Sequence, residues 1–255
     1  MHNRLRKFRF SLIIFLSILT FSSIGCITIY NPATERNETF LIDTRQEVAL
    51  GREMDKELQT KLKILNSPQM NNRLSLIGAK LAGFSDRKDL TYHFKVVNDK
   101  ELNAFAIPGG FVYVNSGLIE SANDDELAGV VAHEIGHIAA RHSVKQLQTV
   151  MGYQLVLSII TGISGQTDIN NALNIVFNLV NLGYSRKDEF LADKLAVRYV
   201  KRAGFSPIGI ITFFEKLKKE GEKKRTNSRL VFLSSHPPID QRISRVEQEM
   251  NLYPY

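Results

Sequence analysis

The stretch Val131-Ala132-His133-Glu134-Ile135-Gly136-His137 decides how the rest of the chain is read. It carries the pattern His-Glu-x-x-His. In a helix, His133 and His137 stand four residues apart on one face. Both imidazoles can then reach a single Zn²⁺ at roughly 2.0–2.1 Å. Glu134 lies one position round from the first histidine, too far to be a natural third ligand. It is well placed to take a proton from a metal-bound water.

The flanking residues favour a helix. Ser121 or Asn123 can cap its N-terminus, and Asp124, Asp125 and Glu126 put negative charge in the first turn, where the helix dipole stabilises it. The run Leu127-Ala128-Gly129-Val130-Val131-Ala132 is apolar nearly all round, as a buried helix is. Two histidines and a glutamate inside such a helix need a partner, because unpaired burial costs several kcal/mol. A metal supplies one. Two surface histidines four apart, the competing reading, would not need so apolar a setting. Gly136 costs about 1 kcal/mol relative to Ala in a helix interior, which points to a close packing contact there.

A second helix completes the constellation. Ser185 can cap it, with Asp188 three residues on, and Gly204 can close it. Glu189 and Asp193 share one face of a helix otherwise lined by Phe190, Leu191, Ala192, Leu195, Ala196 and Val200. Glu189 as third zinc ligand, with Asp193 accepting a hydrogen bond from a ligand histidine, gives a His₂Glu site. The alternative is a pair of surface acids balancing Arg186 and Lys194. His93, on a strand, and His142, placed away from the zinc face of the helix, read as structural.

Elsewhere the pattern is α+β and mainly helical. Helices are expected from 43 to about 65 and, after Asn66-Ser67-Pro68, from about 69 to 82, packed behind the site. Others run from 206 to about 220 and through Arg242 to about 250. Residues 91–97 alternate as a strand. Two strands at 103–107 and 111–114 flank Pro108-Gly109-Gly110, a hairpin signal. That small antiparallel hairpin beside the zinc helix is either ordinary core or an edge. As an edge, Asn103, Ala104, Phe105 and Ala106 would pair with the main chain of an extended peptide. Apolar runs at 150–160 and 172–182 are too short for membrane spans, so they are core helices or a lid over the cleft.

The chain has 255 residues with 44% hydrophobic and 23% charged residues, a globular balance without internal repeats. The net charge of +7 falls to +3 once Arg4, Arg6, Lys7 and Arg9 are set aside, so nucleic acid is not an expected partner. Those four residues precede an apolar run at 10–21 and then small residues, as in a secretory signal. Cys26, the only cysteine, follows Ser23-Ile24-Gly25 and resembles the lipidated residue of a bacterial lipobox. The organisation expected is a signal peptide at 1–25, a lipid-anchored polar tether at 26–42, and one domain at 43–255. An uncleaved anchor helix is the alternative, and either reading places the domain outside the cytoplasm. One cysteine allows no intrachain disulfide there.

Several motifs recur in the order of one family: residues 103–110, His133 to His137, Ser185-Arg186 with Glu189 to Asp193, and His236-Pro237-Pro238 with Arg242. With these, the chain resembles the HtpX / CaaX-prenyl-endopeptidase family of zinc metallopeptidases, in its periplasmic BepA/LoiP-like lipoprotein branch. The resemblance implies a zincin-like (gluzincin) fold with one Zn²⁺ per chain on His133, His137 and Glu189, and Glu134 as catalytic base. It further implies unfolded or misfolded envelope proteins as substrates, and a place at the periplasmic face of the outer membrane, with Cys26 as the membrane anchor. The multiple spans of HtpX and the prenyl proteases are not seen, which speaks against prenylated substrates, and no repeat domain follows the catalytic segment. His236 has three possible uses: a latch on the open zinc position, a donor to the oxyanion, or a loop residue that starts the last helix. A non-catalytic lipid-anchored holdase with a structural zinc is the rival function. Glu134 speaks against it, since a structural site needs no base.

Overall fold

The structure is a computed structural model that describes residues 27–150, 183–223 and 239–252. Cys26, His236 and the apolar segment 151–182 lie outside the described residues, and so do the expectations attached to them.

The helix carrying His133 is the centre of the fold. We label it α4 (Asp124–Ala139), after β1 (Ile27–Asn31), β2 (Arg36–Phe40), α1 (Thr44–Lys61), α2 (Pro68–Ala82), β3 (His93–Val97), β4 (Ala104–Ile107), β5 (Phe111–Asn115) and α3 (Ser116–Ser121). Then follow α5 (Arg186–Arg202), α6 (Ile208–Lys223) and α7 (Ile239–Leu252). Asn123 caps α4: its side chain accepts from the Glu126 N–H, and the Glu126 carboxylate accepts from the Asn123 N–H. Every residue from Glu126 to Ala139 is buried, because α2, α5, α6, β4 and β5 surround the helix. Its two glycines mark the closest approaches. A Cβ on Gly136 would lie 3.0 Å from the Ala192 carbonyl oxygen and 3.2 Å from the Ala192 Cα in α5. One on Gly129 would lie 2.8 Å from Ile210 Cγ1 in α6. The helix-propensity cost of Gly136 is therefore exchanged for backbone contact with the helix that carries Glu189.

The sheet has the order β3-β5-β4, with β4 antiparallel and β3 parallel to the central β5. It is a mixed sheet rather than a hairpin alone. Gly109 and Gly110, at φ 80° and 98°, make the turn that side chains would resist. β5 is buried at all five positions, whereas β4 is an edge with no strand on its far side among the described residues.

Two expectations change. The first helix stops at Lys61 rather than near 65, because the chain turns to join the sheet: Leu65 N donates to Val96 O and Asn98 N donates to Lys63 O. The segment read as a tether folds instead. β1 and β2 pair antiparallel from Ile27↔Phe40 to Asn31↔Arg36, and Phe40 and Ile42 are buried with Leu50, Met54, Ile107 and Val144. Lys145 reaches Glu38 at 2.7 Å, and Gln148 Oε1 accepts from Leu41 N, so the hairpin is fastened to the helical residues 142–150. No helix among the described residues is long and apolar enough to cross a membrane.

Candidate active site

His133, His137 and Glu189 are the group of three among the described residues whose ligand atoms could hold a metal, all within 4.8 Å of one another and all buried. His133 Nε2 and His137 Nε2 stand 3.0 Å apart, and each lies 3.5 Å from an oxygen of Glu189. Ligands at roughly 2.0–2.1 Å from a tetrahedral ion are roughly 3.3–3.4 Å from each other. Donor type, burial and spacing all fit zinc. Glu134, next to the first ligand, is 1% exposed. Glu189 reaches the group from the first turn of α5, where Ser185 caps the helix by accepting from Asp188 N.

Asp193 holds His133 from behind. Its Oδ1 lies 2.9 Å from His133 Nδ1, so the ring donates there and turns Nε2 towards Glu189. Glu189 and Asp193 are 0% and 1% exposed, which removes the surface-acid reading. Both meet Arg242 of α7, which is fully buried. Its guanidinium bonds Asp193 at 2.8 and 2.7 Å, lies 3.0 Å from Glu189, and stacks 4.4 Å from the centre of Phe214. Burial would raise the Asp193 carboxyl, but the charge and hydrogen bonds of Arg242, with His133, hold it below the usual carboxylate range. Burial and Arg242 push His133 down, and Asp193 and Glu189 more than offset them, to about 9 in the metal-free chain.

The structure overturns the structural reading of His142. It is 2% exposed and its Nδ1 lies 2.9 Å from His137 Nδ1. Burial pushes its imidazole down to about 4, so the ring is neutral. Tyr184 stacks on His137 with ring centres 4.0 Å apart and shares a 2.8 Å hydrogen bond with Ser143. The roles of His142, Tyr184 and Arg242 escaped the sequence reading. Arg242 stood in a recognisable motif, but only the tertiary fold shows what it touches. His93 is exposed and stacks on Phe111, in keeping with a structural role. Ala104 to Ala106 lie along the edge strand β4, which packs beside α4, with Ala104 and Ala106 buried and Phe105 stacked on Tyr113, and Asn103 immediately precedes the strand.

Residues 68–250 match the model of a known family, described as Peptidase family M48. The chain belongs to that family. Metalloprotease LoiP of Escherichia coli (strain K12) is 28% identical over 225 residues, covering 87% of each chain. Metalloprotease YcaL of the same organism is 30% identical over 201 residues, 78% of this chain and 76% of that one. The Beta-barrel assembly-enhancing protease of that organism is 27% identical over 218 residues, and the match spans 81% of this chain but 44% of the relative. This M48 peptidase is a zinc metalloendopeptidase, and its buried His₂Glu cluster has the donor set the ion requires.

Proposed function

We propose that this M48 peptidase hydrolyses peptide bonds of misfolded or unassembled cell-envelope proteins, with His133, His137 and Glu189 as the zinc ligands. The ion supplies positive charge that lowers the pKa of a bound water and polarises the scissile carbonyl. The rest falls to the protein. Glu134 receives the proton of the attacking water and passes it to the leaving nitrogen. The outer edge of β4, at Ala104 to Ala106, offers backbone groups to an extended substrate, which suits a protease that must accept many sequences. Asn103 just before it has its N–H on the Glu101 carbonyl and its carbonyl on Asn115 N. Asp193 and Arg242 hold His133 and Glu189 in place. The observation that carries this reading is the convergence of three buried ligand atoms beside a buried Glu134. A relative named for enhancing β-barrel assembly supports the substrate class. We also infer attachment through a lipidated Cys26 to the periplasmic face of the outer membrane, which leaves the hairpin from Ile27 next to the anchor.

Unfolded casein tests the mechanism. Wild-type protein should cleave it and stop when a chelator is added, while Glu134→Gln should lose cleavage and keep about one zinc per chain. Chelator-insensitive cleavage, or normal activity in Glu134→Gln, would refute the assignment. Binding without cleavage by zinc-loaded wild type would leave a holdase.

A further inference from the structure

We infer that His142 is a positioning residue for His137: its Nδ1 accepts the Nδ1–H of His137 and fixes that ring in the tautomer whose Nε2 faces the metal. The inference rests on the reading of His137 as a zinc ligand.

The geometry begins with a break in the helix. On a continuous helix, five residues on from His137 lies about 140° round the axis, facing elsewhere. Here α4 ends at Ala139, and Arg141 takes φ 56°, a left-handed conformation that L side chains rarely adopt. The turn brings His142 back beside His137. Buried contacts hold the strained corner. Arg141 pairs with Glu47 at 2.7 Å, donates to the Ile42 carbonyl at 3.3 Å, and lies 4.1 Å from the centre of the Phe40 ring.

Two imidazole Nδ1 atoms 2.9 Å apart have room for one proton between them. His137 turns Nε2 towards His133 and Glu189, so its lone pair belongs on Nε2 and its proton on Nδ1. His142 Nδ1 must then accept, and the His142 proton sits on Nε2. Asp188 Oδ1 lies 3.3 Å from that Nε2 but off the N–H axis, so it acts on the ring by charge rather than by a full hydrogen bond. The two ligand rings thus have unlike supports: a carboxylate for His133 and a neutral imidazole for His137. The neutral support adds no fourth anion to a pocket that already holds Glu134, Glu189 and Asp193.

Zinc affinity of the full-length protein, measured by chelator competition, tests this. His142→Phe keeps a ring against Tyr184 but offers no acceptor, and should weaken zinc binding about 10–100-fold. His142→Asn places an amide oxygen near the lost Nδ1 and should recover most of that loss. Equal affinity in His142→Phe and wild type would overturn the inference, and so would His142→Asn as weak as His142→Phe. Long-range ¹H–¹⁵N spectra of zinc-loaded wild type give an answer that does not depend on how the variants fold. They should show His137 with its proton on Nδ1 and His142 with its proton on Nε2, and a proton on His142 Nδ1 would overturn the inference. Failure of wild type to bind zinc would instead remove the ligand assignment on which it rests.

Discussion

Arg242→Leu removes a fully buried guanidinium that faces Asp193 at 2.8 and 2.7 Å and Glu189 at 3.0 Å. The leucine is apolar, leaves two buried carboxylates without their cation, and does not restore the stacking on Phe214. Breaking a buried pair in this way costs about 3–5 kcal/mol. At roughly 2–4 °C per kcal/mol for a chain of this size, the melting temperature of the metal-free protein should fall by roughly 6–20 °C. The loss should be smaller with zinc bound, because a dication beside Glu189 compensates part of the exposed charge. Four melting curves decide the matter, wild type and Arg242→Leu, each with zinc and with chelator. Arg242→Lys should fall between them, since it keeps the charge but lacks the fork that holds Asp193 at two points. An unchanged melting temperature in chelator would refute the structural role of the ion pair. A deficit of equal size with and without zinc would refute its coupling to the metal pocket.

Glu189→Ala should lower both zinc content and melting temperature, and Asp193→Asn should weaken zinc binding by about 10–100-fold without abolishing it. Unaltered zinc occupancy in Glu189→Ala would place the third ligand elsewhere. Gly136→Ala should destabilise by about 1–3 kcal/mol, despite the better helix propensity of alanine, because its Cβ would press on the Ala192 backbone at 3.0 Å. A gain in stability by calorimetry would show that α5 moves away freely. Cys26→Ser should shift the protein from the membrane fraction to the soluble fraction, and retention on the membrane would point to an uncleaved anchor helix.

The parts of the site that could be read in the sequence are those set by local spacing. His133 and His137, Glu189 and Asp193, the caps at Asn123 and Ser185, and the turn at Gly109-Gly110 depend on helix period, capping or positive φ. What escaped depends on where distant segments meet. Arg242 lies 49 residues beyond Asp193, and nothing in its own helix distinguishes it from a solvated arginine. Helical periodicity carried past Ala139 puts His142 on the wrong face, because the positive φ of Arg141 interrupts the helix there. The hairpin at 27–40 is hidden in the sequence for a similar reason. Asn31-Pro32 reads as linker punctuation, and the polar run at 36–39 has little apolar pattern of its own, while the burial of Phe40 and Ile42 comes from α1, the sheet and residues 142–150.

The charges of the pocket explain why these distant pieces must meet. Glu134, Glu189 and Asp193 are all buried, with Arg242 as the guanidinium beside them, leaving a formal −2. Zinc cancels that charge. Against the opposing effects of burial and Arg242, Asp193 and Glu189 raise His133, as carboxylates that favour a cation would. A deficit of this kind would pull water into the core if its members could drift apart. They are held on three helices, α4, α5 and α7, packed against one another through Gly136 and Arg242. Metal binding and the docking of α7 therefore act on the same carboxylates. Losing the arginine should thus leave the protein more dependent on zinc for its stability, although Arg242 itself is not a ligand.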